Sequence, residues 1–146
     1  MRDASAVVAS VHRALRPDGR FVAEMGGAGN VAAIRSALVA ALDRRGADGA
    51  ALDLLFLPTA EEYAALLEAG GFSVRTISLF PRPTPLPGEL SAWLETFAQS
   101  FLRAVPDEDR PRLMEDVSTT LRPRLYQAGR GWVADYVRLR FAAVKA

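Results

Sequence analysis

Glu24 stands inside the apolar stretch Phe21-Val22-Ala23-Glu24-Met25, where a carboxylate is out of place for a buried sheet. It could anchor a polar substrate, or lie at a strand end in water. Shortly after it, Gly27-Ala28-Gly29-Asn30-Val31-Ala32 fits a loose GxGxxA spacing. Backbone amides in such a turn can approach a phosphate closely, yet the same glycines also make a plain structural turn. Trp93, Phe97 and Phe101 recur every fourth residue. On one helix they share a face, which could wall an apolar pocket or simply pack on a sheet. Trp132 and Tyr136 are spaced to point to the same side of an extended strand, with the same two readings. Arg82 and Tyr126 sit near loops and suit an anionic ligand.

Other chemistry is excluded by what the chain lacks. There is no cysteine, so disulfides, thiolate metal sites and a cysteine nucleophile are out. His12 is the sole histidine, hence the one side chain whose ordinary pKa suits a general base near neutrality. Asp107-Glu108-Asp109 has the character of an acidic run at a helix N-terminus rather than a metal site. The formal net charge is +1. Arginines 122, 124, 130, 138 and 140 make the last third basic, but Asp107, Glu108, Asp109, Glu115 and Asp116 offset them. That pattern predicts a salt-bridged face and not a nucleic-acid binder. Charges interrupt every apolar run well short of the ~18 residues of a membrane span. Asp3, His12, Arg13, Arg16 and Asp18 spoil a signal-peptide reading, so a cytoplasmic protein is expected.

Periodicity supplies the elements that must position these residues. Ala4, Val7, Val8, Val11 and Leu15 lie at helical spacing over 4–15, and Arg16-Pro17-Asp18-Gly19 makes a tight turn. Strand 20–25 ends in the glycine loop. Asn30 suits the N-cap of a helix over 31–45 that Gly46 stops. Residues 47–58 are poorly patterned. Thr59 and Glu62 form a capping box for a helix running to Gly70-Gly71. Residues 72–80 have strand composition, and the proline-rich 81–88 predicts an extended connector unfit for a ladder. A helix over 89–105 and a second from Asp107 to about residue 126 follow, with Pro111 in its first turn and Pro123 breaking its end. The strongest strand is 132–144, with Val133, Val137, Leu139 and Phe141 on one face. Alternating strands and helices point to the α/β class, with no internal boundary.

Three stretches together resemble class I S-adenosylmethionine-dependent methyltransferases, of the small-molecule type that includes trans-aconitate methyltransferase. VHRALRPDGRFVAEMGG (11–27) is similar to that fold's helix, proline-glycine turn and fifth strand. PTAEEYAALLEAGGFSVRTISLF (58–80) is similar to the helix and sixth strand, and GRGWVADYVRLRFAAVK (129–145) to the closing seventh strand. The resemblance implies a partial Rossmann-like fold. Its core is a three-stranded mixed sheet ordered 20–25, 132–144, 72–80, with the C-terminal strand antiparallel to both neighbours. Helices flank it, and 89–126 is a helical insertion covering substrate. Residues 1–146 then form a single partial domain.

The resemblance begins after the family's fourth strand. The glycine turn of the first strand and the ribose-binding acid after the second are therefore expected to be absent. S-adenosylmethionine is the implied cofactor, but the chain alone is not expected to bind it. The flanking segments assign Gly27–Ala32 to the fifth strand, and His12 to a helix away from the chemistry. The implied substrate residues are Glu24, Trp93, Phe97, Phe101, Trp132 and Tyr136. Two functions are consistent with this: the substrate-side part of a methyltransferase acting on a small molecule, inactive alone, or a non-catalytic self-associating or partner-binding module derived from one. A truncated product is a third reading. The expected partner is a second copy in a homodimer, or a complementary N-terminal half. Strand 20–25 has an unblocked outer edge, and helices 4–15 and 31–45 would lack sheet to pack on.

Overall fold

A computed structural model describes residues 3–146. Along the chain run α1 (Ala4–Ala14), β1 (Arg20–Gly26), α2 (Ala32–Asp43), α3 (Ala60–Ala69), β2 (Phe72–Pro81) and β3 (Thr84–Pro85). Next come α4 (Leu90–Phe97), α5 (Gln99–Leu102), α6 (Arg110–Leu125), β4 (Tyr126–Gln127), β5 (Gly131–Ala134) and β6 (Val137–Lys145). Single 3-10 turns occupy Ala50–Leu52 and Asp107–Asp109. The chain divides into two compact units, and each gathers segments distant in sequence. No linker marks the division because the chain crosses it several times.

The first unit holds residues through Asn30, Leu55–Arg82 and Tyr136 onward. Its sheet runs in the order β1, β6, β2. Both pairings are antiparallel, so the sheet is antiparallel throughout and not mixed. The register sets Glu24 beside Arg140 and Ser78, and Ala23 beside Phe141 and Ile77. Alternation therefore gives one apolar face (Phe21, Ala23, Met25, Leu139, Phe141, Ala143) and one polar face. α1 and α3 cover the apolar face: Val8, Tyr63 and Leu67 join Phe72, Leu139, Phe141 and Ala143 in a buried cluster. The capping box forms as expected, with the Glu62 amide donating to Thr59 Oγ1 at 3.2 Å and the Thr59 amide to Glu62 Oε2 at 2.8 Å. Burial raises the Tyr63 phenol above its ordinary pKa.

The second unit holds Val31–Leu54 and Pro83–Asp135. α2 buries Ala33, Ile34, Ala37, Leu38, Ala41 and Leu42, and it packs against α6. The expectation that this helix lacks a surface to pack on is therefore corrected; it needs no sheet. The helix expected over 89–105 is two helices broken at Ala98 (φ −103°, ψ 28°). Pro111 lies in the first turn of α6, and Pro123 is contained two residues before its end.

Two expectations fail at the C-terminal strand and the proline-rich connector. The strand read as 132–144 breaks at Asp135-Tyr136. β5 belongs to a small sheet ordered β3, β5, β4, and only β6 belongs to the first unit. Thr84-Pro85, expected to form no ladder, pairs with Ala134 and Val133. Proline is tolerated there because β3 is an edge strand that needs no donor on its outer side.

Candidate functional site

The glycine loop after β1 was the one candidate for a phosphate or cofactor cradle. Four of its amides are already engaged. Gly27 donates to the Val137 carbonyl (3.2 Å), Ala28 to Pro58 (2.9 Å), Asn30 to Gly27 (2.9 Å) and Val31 to Asp135 (3.0 Å). The Asp135 carboxylate takes the Ala33 amide at 2.8 Å, so a negative charge already fills the N-terminus of α2. Asn30 is not the N-cap expected of it. Its Oδ1 instead accepts from the Val137 amide at 2.9 Å, and the residue preceding α2 is Val31, with φ 47°. A β-branched residue pays for that conformation, and the flanking bonds to Asp135 hold it. The loop does not fit the pyrophosphate or carboxylate end of a nucleotide cofactor, and no step is routed through it. Asn30→Ala would leave the Val137 amide without its acceptor. We expect a loss of about 1–3 kcal/mol in urea unfolding, with Asn30→Asp recovering most of it. Unchanged stability would mean water replaces the side chain.

Glu24 lies on the polar face of the sheet, its side chain 24% exposed, and is surrounded by guanidinium groups. Arg82 Nη1 approaches Oε1 at 2.5 Å, and Arg140 donates to Oε2 through Nε at 2.8 Å and Nη2 at 2.6 Å. Arg138 Nε stands 3.9 Å from Oε1. The Arg140 hydrogen bond is the largest influence on the carboxyl and lowers its pKa. Partial desolvation opposes that, while the charges of Arg140 and Arg82 add to the lowering. Arg138 also lies over the Tyr136 ring (4.7 Å to the centroid), and Arg140 over Phe80 (5.1 Å). Glu24 and Tyr136 are thus brought into one cluster, through Arg138. Sequence reasoning assigned Arg138 and Arg140 to a solvated basic face. The available signal was their two-residue spacing on a strand, which puts both on one face.

The remaining aromatic candidates lie in the second unit. Trp93 and Phe97 stack with centroids 5.2 Å apart. They line a recess of about 210 Å³ with Leu86, Pro87, Ala92 and Thr96. Phe101 does not share their face: the break at Ala98 turns it inward, where it is 3% exposed while Phe97 is 64% exposed. Trp132 is buried too, its Nε1 donating to Glu89 at 3.0 Å and its ring meeting Tyr126 edge-on. Because the strand breaks, Trp132 and Tyr136 belong to different units and not to one strand face. His12 packs edge-on against Phe72 at 5.4 Å, the position of a core-rim ring. Among the described residues no group of three His, Asp or Glu is placed to hold a metal ion, and no helix is long and apolar enough to cross a membrane.

This is an α/β chain whose fold is shared with a solved structure from Bacillus halodurans, a protein provisionally named as a methyltransferase. The two superpose with a TM-score of 0.50 over 97% of this chain and 57% of that one, at 13% identity. In sequence the chain is a homologue of a Schizosaccharomyces pombe protein named as an uncharacterized methyltransferase. They are 35% identical over 142 residues, which is 95% of this chain and 54% of the relative. The chain thus spans about half the length of the curated relative it matches. No family model matches the sequence.

Proposed function

We propose that residues 1–146 are the later, acceptor-side part of an S-adenosylmethionine-dependent methyltransferase domain of small-molecule type, with a partial Rossmann-like fold. The observation that carries this reading is the 35% identity to a protein named as a methyltransferase, maintained over 95% of the chain. The glycine loop supports placing the cofactor elsewhere, since four of its amides and the Ala33 amide at the start of the helix beyond it are bonded internally. The part played here is positioning: methyl transfer needs the acceptor held in line and water kept out more than it needs an acid–base pair. Glu24 and Tyr136, both in the first unit, are the side chains offered to an acceptor.

Calorimetric titration with S-adenosylhomocysteine tests the reading. Residues 1–146 alone should show no micromolar binding. The chain extended by whatever precedes it in its reading frame should bind. Micromolar affinity of residues 1–146 would overturn the division of labour and make Gly27–Ala32 a cofactor loop after all. One observation favours a second reading, a non-catalytic self-associating module: among the described residues only β6 pairs with β1, which leaves its other edge without a strand.

A further inference from the structure

Glu89, Trp93 and Phe97 recur every fourth residue, and in the second unit that spacing falls on one element. Trp93 and Phe97 lie one turn apart on α4, and Glu89 precedes them at its N-cap position, so a carboxylate and two rings follow one another along the helix. The break at Ala98 ends the row and leaves Phe97 outward, 64% exposed. The connector before the helix is held in place: Thr84-Pro85 pairs with β5, and the Leu86 amide donates to the Trp132 carbonyl at 2.8 Å. Leu86 and Pro87 form one wall of the recess of about 210 Å³ and α4 forms the other.

That volume lies below the ~300–1,000 Å³ of pockets that enclose a drug-sized molecule, so it fits a head group. The walls are largely apolar, and the Thr96 hydroxyl already donates to the Ala92 carbonyl at 2.9 Å. Such walls offer few acceptors, so a ligand rich in N–H donors would lose water there without replacement. The two rings, 5.2 Å apart and tilted 43° to each other, open as a wedge. Aromatic faces attract a cation through their quadrupole and need no hydrogen bond to do so. Among the described residues that line the recess, Glu89 is the only charged one. Its Oε2 accepts the Trp132 indole proton at 3.0 Å, which fixes the carboxylate, while its Oε1 has no hydrogen-bond or ion-pair partner among the described residues. Apolar walls, two rings and one negative charge together complement a cation wrapped in alkyl groups.

We infer that the recess between the connector and α4 binds the trimethylammonium head of a small soluble molecule, with Trp93 and Phe97 as its aromatic walls and Glu89 as its counter-charge. Such a nitrogen carries four carbon substituents and no lone pair, so it cannot take a methyl group. The ligand is therefore not an acceptor at that atom. The site goes beyond the proposed function and stands without it.

The test reads binding by NMR, with sodium chloride holding ionic strength constant. Choline is titrated into residues 1–146, and so are ethanolamine and the neutral tert-butyl analogue, in which carbon replaces the charged nitrogen. Backbone amides across 86–97 should shift along a saturable curve in the millimolar range with choline, and the other two should bind several-fold more weakly. Phe97→Leu keeps an apolar side chain but removes a ring, and Glu89→Gln keeps an acceptor for the Trp132 indole but removes the charge. Each should weaken choline about three-fold or more and leave the neutral analogue unchanged. That selectivity separates the loss of a cation site from general damage, and both positions are exposed, so neither change threatens folding. Phosphatidylcholine vesicles form the lipid arm: sedimentation with them, reversed by free choline, would overturn the soluble source and keep the head group. Absence of saturation with choline, equal binding of the tert-butyl analogue, or choline binding untouched by both variants overturns the site. Cofactor binding by the extended chain has no bearing on these outcomes.

Discussion

Truncation of Phe141 to alanine is expected to destabilise the first unit by about 3–5 kcal/mol, the usual cost of removing a fully buried aromatic side chain. Phe141 is 1% exposed and lies in β6, the middle strand of its sheet. Its ring meets Phe21 edge-on at 4.8 Å and Tyr63 at 5.2 Å, so it joins β1 to α3 across the sheet. Its lateral neighbours, Ala23 on one side and Ile77 on the other, are too small or too constrained to fill the vacated volume. Domains of this size have a total stability of about 5–15 kcal/mol, so a loss of this magnitude removes much of the margin. The midpoint of urea unfolding measures it. Phe97→Ala is the control: that ring is 64% exposed and should change the midpoint little. A Phe141→Ala variant within about 1 kcal/mol of the parent would mean that β6 is not the packed centre of this unit.

Why part of this was legible in the sequence, and part not, is a matter of distance along the chain. α1, α3, β1 and β2 fall within a residue or two of their expected bounds because their signals are local: the Thr59–Glu62 box, the turn at Pro17–Gly19, period-two alternation over 20–25. The break at Asp135-Tyr136 has only a weak local mark. No glycine or proline stands there, but Asp135 puts a charge between Val133 and Val137 on the otherwise apolar face. The break is imposed by the Val31 amide on the Asp135 carbonyl and the Ala33 amide on its carboxylate, the latter 102 residues away in sequence. Asn30 was misassigned for the same reason. A helix cap needs only its own neighbours, whereas its actual partner, the Val137 amide, is 107 residues distant. Glu24 was conspicuous as a carboxylate in a strand, but its meaning depends on Arg140, 116 residues on, and Arg82, 58 residues on. A window of a dozen residues shows that such a group is odd, not what answers it. The aromatic triplet failed differently: four-residue spacing is informative only while the helix continues, and Ala98 ends it.

The open edge of β1 should make residues 1–146 self-associate. Among the described residues β1 is an outer strand paired on one side alone, so on its other side alternate residues present amides and carbonyls with no strand beside them. Proteins blunt such edges with proline, lysine or an inward charge. Arg20–Gly26 contains neither proline nor lysine, and Val22 is 56% exposed. Arg20 and Glu24 are the charges that protect the strand, and Glu24 is already paired with Arg140 and Arg82. Two copies of β1 related by a two-fold axis can pair antiparallel, each satisfying the other's edge, and closure at two is the simplest outcome. Light scattering at high micromolar concentration should report a dimer, dissociating on dilution. Val22→Lys places a charge at an exposed position without touching the packed face, and should shift the population to monomer while leaving the unfolding midpoint nearly unchanged. A supplied neighbouring strand, from a longer form of the chain, would occupy the same edge and abolish the dimer in the same way. If residues 1–146 remain a monodisperse monomer across that range, the edge is satisfied by other means, and the self-associating reading is lost.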